Sequence, residues 1–371
     1  MASIRKLPNG KWQARIRLTP NGRQYSKTTR RKVDAQRWLS EQTAAIVVGQ
    51  FVDPRAGDIT LREYAEDWRQ RQVHRPSTER HVEMMLRRHV YPTLGDNRLS
   101  TVTPDDVQLW VRRLELAPAT VHVVHAMLSQ VFKSACRPPR RLANNPCADT
   151  RLPEVHRAEA EPLTADQVEA LTAAMGDLGA IVTLAAGTGL RQGECVGLTL
   201  DRVNFLRRTV KVDRQLVTVP GRDPYLAPPK SSASIRTIPL PQFVVEALSV
   251  VAQDLDEGFL FTYLGKPISR SVFGHMWRPA VAEAGLPTGT GFHRLRHTYA
   301  SALIEAGLSV KVVQSRLGHK SATTTLDVYG HMFGDGEDRT RDALDSVFGS
   351  TEERLRNGKG GGTSLRRSDT L

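Results

Sequence analysis

Hydrophobic and polar residues alternate near the start of the chain, which predicts a small β-sheet. Between Lys11 and Leu18 every second residue is apolar, and lysine, glutamine and arginine occupy the positions between. Such alternation is typical of a strand with one buried and one exposed face. Pro-Asn-Gly triplets flank the stretch and favour turns, because asparagine and glycine tolerate positive φ. We therefore predict strands over 11–18 and 24–28, then a helix over 33–48 that buries Ala35, Trp38, Leu39 and Ile46.

From Thr60 onward the pattern changes, because apolar residues now recur at steps of three and four. Thr60 is a suitable N-cap, with Glu63 placed three residues later to complete a capping box. Thr103 followed by Pro104 marks another helix start, since proline is favoured in the first turn. Helices are predicted from Thr60 and near 76–92, 103–115 and 118–136. Residues 60–148 should therefore form an all-α domain.

A proline-containing linker leads into a third region, which mixes helices with a small sheet. The pattern is helical from Leu163 to about Leu200, and a proline- and glycine-rich stretch later separates two strand-like segments. After Phe348 no apolar periodicity remains, so the tail 349–371 is predicted to be disordered. The fold class is therefore α+β and multidomain, with a small N-terminal sheet and helix, an all-α domain, and a mainly α domain containing a small sheet. Strands are predicted over 209–213 and 234–240, and helices over 241–251, 271–284, 293–306 and 310–317.

The charge of the chain points to a polyanionic partner. Its 371 residues carry a net charge of +13 and a sequence pI near 10.0, which suits nucleic acid or an anionic membrane surface. Residues 1–55 hold 12 basic and three acidic side chains, a balance of +9. That segment is therefore the expected electrostatic contact with DNA.

Two further features favour nucleic acid in a reducing cytoplasm over a membrane. No apolar run approaches the roughly 20 residues of a spanning helix, and the N-terminus lacks the apolar segment of a signal peptide. Three widely spaced cysteines, Cys136, Cys147 and Cys195, form no Cys-x-x-Cys pair. They indicate neither a disulfide framework nor a cysteine zinc site.

Candidate chemistry lies in three stretches, 187–194, 293–297 and 317–329, which contain arginines, histidines and one tyrosine. A lone helical His/Arg pair is usually solvated, and a lone tyrosine is usually structural. Together these groups suit attack of a phenolate on a phosphodiester, because guanidinium groups bind non-bridging phosphate oxygens bidentately and stay charged. A zinc pair at His293 and His297 is disfavoured, since Arg294 stands where a metalloprotease needs glutamate. Neither a phosphate-binding loop nor a paired-carboxylate site for two metals is present.

The three stretches, in this order, resemble the tyrosine recombinase (phage integrase) family, in particular integrases of temperate actinobacterial phages. The resemblance covers nearly the whole chain and implies an arm-binding domain over 1–55, a helical core-binding domain over 60–148 and a catalytic domain over 160–348. Glu194 resembles the acidic residue that the family often carries three places after its first catalytic arginine, here Arg191. Lys211 is an alternative to Lys230 as the catalytic lysine. By resemblance, the catalytic residues are Arg191, Lys230, His293, Arg296, His319 and Tyr329.

The family's chemistry, carried onto these positions, needs neither a cofactor nor a metal. Tyr329 would form a 3′-phosphotyrosyl intermediate while Arg191, Arg296 and His319 stabilise charge. His293 would assist proton transfer at the nucleophile, and Lys230 would protonate the departing 5′-hydroxyl. The phosphotyrosine keeps the energy of the ester, so a second 5′-hydroxyl can reverse the step without ATP.

The resemblance also implies partners and a location. It implies double-stranded DNA carrying core-type and arm-type attachment sites, a homotetramer on that DNA, a host DNA-bending factor and an excision factor, with no membrane contact. The expected setting is the cytoplasm of a host bacterium, where the protein would integrate and excise a phage or similar element.

Two other classes of function remain open at this point. A non-catalytic sequence-specific DNA-binding factor would not need the set of arginines, histidines and tyrosine. A type IB topoisomerase-like nicking enzyme would share the chemistry, but a second DNA-binding module would be superfluous for simple relaxation. Covalent trapping on DNA distinguishes the first alternative from the recombinase, and a requirement for a second DNA partner distinguishes the second.

Overall fold

The computed structural model describes residues 2–17, 24–48, 51–53, 55–155 and 161–330, together with 341, 344 and 345. The chain divides into two compact units, Met1–Ala158 and Glu159–Leu371. The predicted turn at 20–22 and the predicted disordered tail lie outside the described residues.

The first unit begins with an antiparallel sheet covered on one face by a helix. Ile4, Ala14 and Lys27 lie opposite one another in the register of the three strands. The buried residues of this small core are Ala14, Ile16, Ala35 and Trp38, with Leu39 and Ile46 packed against them. The predicted strands and helix are confirmed, whereas the first strand was not predicted, because its sequence contains a single inward apolar residue, Ile4. The elements are β1 (Ala2–Lys6), β2 (Trp12–Arg17), β3 (Gln24–Thr29) and α1 (Lys32–Val47).

The rest of the first unit is helical, as predicted. Thr60 and Thr103 each form a capping box, with Glu63 and Asp106 respectively, which fixes the start of two helices. A π-helical turn, Leu86–Val90, joins the third helix to a short fourth one. The core of this domain is a separate cluster that includes Trp68, Trp110 and Phe132. The helices are α2 (Leu61–Gln70), α3 (Pro76–Met85), α4 (Tyr91–Leu94), α5 (Pro104–Arg113) and α6 (Pro118–Ala135).

The second unit packs helices around a buried helix and a three-stranded antiparallel sheet. The helices are α7 (Ala165–Ala174), α8 (Gly179–Thr188), α9 (Gln192–Cys195), α10 (Gln242–Ala252), α11 (Arg270–Glu283), α12 (His293–Glu305), α13 (Val310–Leu317) and α14 (Ala322–Tyr329). The strands are β4 (Val203–Asn204), β5 (Thr209–Val212), β6 (Gln215–Val217), β7 (Tyr225–Ala227), β8 (Arg236–Pro239), β9 (Thr262–Tyr263) and β10 (Lys266–Pro267). The main sheet has the order β4-β5-β8, and β6 with β7 and β9 with β10 form separate hairpins. Among the described residues, no helix has the length and apolar character needed to cross a bilayer.

The structure adds detail to two local predictions for this unit. The stretch predicted to be helical from Leu163 to about Leu200 contains three α-helices, because Gly176 and Gly189 have φ values of 52° and 64° and interrupt the helical conformation. The stretch predicted as a Pro/Gly-rich connection contains the β6–β7 hairpin, in which Leu216 lies opposite Leu226. The strands predicted over 209–213 and 234–240 and the four later helices are confirmed within one to two residues at each end.

Candidate active site

Helix α12 places a buried arginine at the centre of the second unit. Leu295 and Ala300 anchor this helix in the hydrophobic core, and Arg296 between them is only 1% exposed. Its Nη1 donates to the carbonyl oxygen of Gly189 at 2.7 Å, and its Nη2 donates to the carbonyl oxygen of Leu317. Burial, and then the neighbouring cations, lower the pKa of Arg296 to about 9, so the side chain remains charged at neutral pH. One guanidinium thus ties the ends of α8 and α13 together.

The α8–α9 turn presents a second arginine through a carboxylate. Arg191 is the N-cap of α9, and its Nη1 donates to Glu194 Oε1 at 2.9 Å. Arg236 on β8 donates to both oxygens of the same carboxylate, at 3.2 and 2.9 Å, and its Nε donates to the carbonyl oxygen of Arg316 at 2.8 Å. Burial raises the pKa of Glu194, but hydrogen bonds and charge from Arg236 and Arg191 outweigh it and leave that pKa below its ordinary value. Glu194 is therefore an anion that holds two arginines.

A histidine follows α13 on a turn that needs glycine. Gly318 ends the helix with φ 65°, and a Cβ there would lie 3.1 Å from the Arg236 side chain. His319 comes next, with its Nδ1 2.9 Å from the hydroxyl of buried Thr325. Burial, and then Arg296 and Arg191, lower the pKa of His319 to about 4, so the imidazole is neutral at pH 7. It can donate one hydrogen bond to an anion but does not itself bring a full charge.

Tyr329 ends α14 and is held by α12. The phenol is 3% exposed, and its hydroxyl lies 2.8 Å from Nδ1 of His297. His293, one turn earlier, meets the His297 ring edge-on at a centroid distance of 5.0 Å. Burial raises the pKa of Tyr329 to about 12, although the charge of Arg296 acts in the opposite direction. The resting phenol is thus neutral and hydrogen-bonded to an imidazole.

Known families and chains match this sequence over most of its length. Three family models match the chain: the N-terminal domain of phage integrases over residues 2–47, the phage integrase central domain over 60–153 and the phage integrase family over 161–334. The prophage phiRv2 integrase of Mycobacterium tuberculosis is 28% identical over 366 residues, covering 94% of this chain and 96% of its own length. A tyrosine recombinase, XerC-like, of Caldanaerobacter subterraneus is 26% identical over 387 residues, with 92% and 98% covered.

A solved structure of an integrase is also similar to this chain. The Tn1549 transposon integrase, in complex with a circular intermediate DNA, has a TM-score of 0.68 and 25% identity and covers 78% of this chain and 99% of its own. The chain belongs to the phage integrase family. It is a tyrosine-type site-specific recombinase, and of the alternative functions weighed from the sequence none is favoured.

Five of the six residues predicted for the recombinase's active site belong to this connected arrangement, and Lys230 does not. Arg296 donates to the carbonyl oxygens of Gly189 and Leu317, which lie two residues before Arg191 and His319 respectively. Tyr329 is hydrogen-bonded to His297, the residue after Arg296, and the His293 ring contacts the His297 ring. Lys230 is exposed in the loop after β7, and no hydrogen bond or ion pair joins its ammonium group to another residue in the described part of the chain. The alternative, Lys211 on β5, has its Nζ 3.7 Å from a carboxylate oxygen of Asp213, which directly follows the same strand.

Sequence reasoning assigned no role to two residues that the recombinase places in this site, Arg236 and His297. Arg236 and Ile238 are both buried on the same face of β8, so an arginine at an inward position of a strand was the available signal. His297 had been considered only as half of an excluded zinc pair. Within the described residues, no group of three histidine, cysteine or acidic side chains is arranged to hold a metal ion.

Proposed function

We propose that this recombinase cleaves DNA by attack of Tyr329 on a phosphodiester, which leaves a 3′-phosphotyrosyl bond and a free 5′-hydroxyl. The observation that carries this proposal is the pairing of Tyr329 with α12, the same helix whose Arg296 ties together the Arg191 and His319 segments. A phosphate bound between these segments would lie against two guanidinium groups, one neutral imidazole and the phenol. Each of those groups has a distinct use in phosphoryl transfer.

The arginines supply the charge that the transition state needs. We propose that Arg191 and Arg296 bind the non-bridging oxygens and that His319 donates a further hydrogen bond. The carbonyl oxygen of Gly189 already holds Arg296, and Arg236 holds Glu194, the partner of Arg191. Little reorganisation of the arginines is therefore needed when negative charge develops on phosphorus. The same positive charge facilitates loss of the phenolic proton.

Proton transfers complete the assignment. We propose that His293 assists proton transfer at the nucleophile, which is consistent with its ring contact to His297. Lys230 would protonate the departing 5′-oxygen, and its exposed ammonium group, which has no hydrogen-bond partner among the described residues, supports that role. The loop that carries Lys230 ends in a turn whose Ser234 carbonyl accepts from Arg236 at 2.9 Å, so this end of the loop is anchored beside Glu194.

We propose three functional domains: residues 1–55 for arm-type DNA, 60–148 for core-type DNA and 160–348 for catalysis. The separate hydrophobic cores of the two N-terminal domains support this division. The uncovered sheet face carries Arg5 and Arg15, and Gln13 Oε1 accepts from both at 3.0 Å, which supports DNA contact there. The recombinase would act as a homotetramer in the host cytoplasm, with a DNA-bending factor and an excision factor, on a phage or mobile element.

Covalent trapping tests the chemistry. Nicked DNA from the attachment junctions of the element that encodes the chain is incubated with the protein, and adducts resistant to denaturant are measured on a gel. We expect an adduct with the natural chain and with Tyr299→Phe, the matched control on α12, but none with Tyr329→Phe. Chelators should leave the yield unchanged, because side chains hold the phosphate. Adducts with Tyr329→Phe, or strict dependence on Mg²⁺, would contradict the proposal.

Deleting residues 1–55 tests the division into domains. The truncated protein should still bind and cleave the crossover site, but it should lose arm-site binding and fail in full recombination. Gel-shift assays with separate arm-type and core-type fragments measure this difference. Loss of folding or of all cleavage would instead make 1–55 an integral part of the catalytic body. Relaxation of any supercoiled plasmid without a second DNA partner would favour the topoisomerase-like alternative.

A further inference from the structure

We propose that His297 is a catalytic residue of this recombinase, whose Nδ1 accepts the proton that the Tyr329 hydroxyl loses as it attacks phosphorus. The inference rests on the proposed function of Tyr329 and adds the group that activates it. The phenolic oxygen lies 2.8 Å from Nδ1, which is hydrogen-bonding distance for proton transfer. Within the described ranges, no other side chain forms a hydrogen bond with this hydroxyl.

The contact is built by the fold rather than by sequence proximity. His297 and Tyr329 are 32 residues apart, on α12 and at the end of α14, and their rings meet at a centroid distance of 5.5 Å. Tyr329 packs in the same small core as Ala300 and Ile304 of α12. Because Arg296 precedes His297, the residue that ties the phosphate-binding segments together and the residue that contacts the nucleophile are consecutive.

The charge state of His297 suits a proton acceptor. Burial, and then Arg294 and Arg296, lower the pKa of His297 below its ordinary value, so the ring is neutral at pH 7. A neutral imidazole protonated on Nε2 has a free lone pair on Nδ1, where the phenol can donate. His293 has no hydrogen bond to Tyr329 among the described residues, and its ring contacts His297 instead.

Cleavage exchanges one oxygen–phosphorus bond for another and moves two protons. The bond from the Tyr329 oxygen to phosphorus forms, and the phenolic proton moves to Nδ1 of His297, which becomes an imidazolium. The bond from phosphorus to the 5′-oxygen breaks, and that oxygen takes a proton from Lys230. When a 5′-hydroxyl attacks the phosphotyrosine, it returns its proton to Lys230, and His297 returns its proton to the Tyr329 oxygen. No metal, oxidant or further reactant is required.

Two variants separate proton transfer from mere positioning. His297→Ala removes the acceptor, whereas His297→Asn retains a hydrogen-bond acceptor near Nδ1 but cannot take a proton. We expect both variants to keep site binding and thermal stability, and both to form the adduct about 10²- to 10⁴-fold more slowly, the usual contribution of a general base. Full activity of His297→Asn would show that His297 only orients the phenol, and faster cleavage by His297→Ala would show that it restrains the phenol. Either result, or loss of DNA binding in both variants, would overturn the proposal.

A modified substrate and a modified nucleophile make the test specific. With a sulfur in place of the bridging 5′-oxygen, the leaving group needs no proton. The rate of adduct formation by Lys230→Ala should therefore recover on this substrate, while that of the His297 variants should not. Recovery of the His297 variants on this substrate would assign His297 to the leaving group and overturn the proposal. Fluorinated tyrosine at position 329 has a more acidic phenol and should reduce the His297→Ala defect at least tenfold; an unchanged defect would again overturn it.

Failure of the proposed function itself gives a different result. The natural chain would then form no adduct on attachment-site DNA, or Tyr329→Phe would still form one. Defective His297 variants beside an active natural chain and an inactive Tyr329→Phe therefore bear on the proton acceptor alone.

Discussion

Arginine has opposite surroundings in two regions of this recombinase. One is the N-terminal sheet, and the other is the second unit, Glu159–Leu371, in which we propose that catalysis takes place and which is called the catalytic unit below. On the outer face of the sheet, Arg5 is exposed and Arg15 is half-buried, and both donate to the side-chain amide oxygen of Gln13. In the catalytic unit, Arg236 and Arg296 are almost fully buried and are held by carboxylate or carbonyl oxygens. The same side chain is a screened surface charge in one region and a fixed internal charge in the other.

This difference indicates what each region contributes. Exposed charges are screened within about 8 Å at physiological salt, so contacts from the sheet are adjustable and salt-dependent. Buried charges cost desolvation when the protein folds, but they are already oriented when the phosphate arrives. Variants in the catalytic unit should therefore change stability and cleavage rate, whereas variants on the sheet should change affinity and its dependence on salt.

The largest effect is expected from Arg236→Met. This change leaves the carboxylate of Glu194, itself only 2% exposed in its side chain, with Arg191 as its remaining cation. Breaking a buried ion pair in this way costs about 3 to 5 kcal/mol of unfolding free energy. Urea unfolding measures the loss, and the double variant Arg236→Met with Glu194→Gln should recover much of it. A change near zero would mean that the pair is more hydrated than its burial indicates.

The pH dependence of this variant provides an independent check. The folded-state pKa of Glu194 is lowered, so its contribution to stability is present above its unfolded pKa and is lost as pH falls through the folded value. The difference in unfolding free energy between Arg236→Met and the natural chain should therefore shrink in acid. A difference that stays constant would exclude the charge of Glu194 as its cause.

The second effect concerns the cleavage rate. Arg296→Ala removes a guanidinium fixed before DNA binds, and loss of one such donor costs about 2.7 to 4 kcal/mol, or roughly 10²- to 10³-fold in rate. Arg296→Lys should not restore the rate, because one ammonium group cannot reproduce the two-pronged contact to Gly189 and Leu317. Single-turnover cleavage is the measurement, with exposed Arg207→Ala as the control. Equal losses of binding and cleavage would make Arg296 a positioning contact only.

The sequence predicted the elements of both regions better than it predicted their contacts. Local signals were sufficient for the capped helices after Thr60 and Thr103 and for β2, because caps and alternation act over a few residues. The pairing of Arg236 with Glu194 spans 42 residues and depends on strand placement, so no local pattern revealed it. The periodicity of the sequence did not indicate the short strands β6 and β7 or the helix α14 either, since packing rather than periodicity defines them.

In the candidate active site too, the sequence indicated the residues better than it indicated their contacts. Residue types and motif order were sufficient to propose Tyr329 and its arginines, because the chemistry of phosphate limits which groups can serve. The hydrogen bond from Tyr329 to His297 could not be inferred, since α12 and α14 meet only in the folded chain. Lys230 remains a prediction, since the structure gives its ammonium group no partner among the described residues.

A third effect compares one glycine from each region. Gly10, in the β1–β2 turn, has φ 78° with nothing within 4 Å of an added Cβ, whereas Gly189 has φ 64° and its Cβ would lie 2.4 Å from the Tyr299 ring. Gly10→Ala should cost roughly 1 to 2 kcal/mol from backbone strain alone. Gly189→Ala should cost about 1 to 3 kcal/mol more through overpacking, and it should slow cleavage by displacing the carbonyl that Arg296 contacts. Thermal melting measures the loss of stability in both variants, and adduct formation measures the cleavage rate. Equal losses of stability would show that the Tyr299 ring moves aside without a free-energy cost.

The smallest effect is expected from Arg15→Ala on the exposed sheet face. Folding should be nearly unchanged, because Arg15 lies on the side of β2 opposite the buried Ala14 and Ile16. If Arg15 neutralises one phosphate of arm-type DNA, the slope of log affinity against log salt should become shallower by about 0.9. Titrations of an arm-type fragment at several salt concentrations measure this slope, while cleavage of a core-type fragment should keep its natural rate. An unchanged slope with weaker binding at every salt concentration would mean that Arg15 contacts a base edge rather than a phosphate, so this surface arginine would contribute to specificity as well as to affinity.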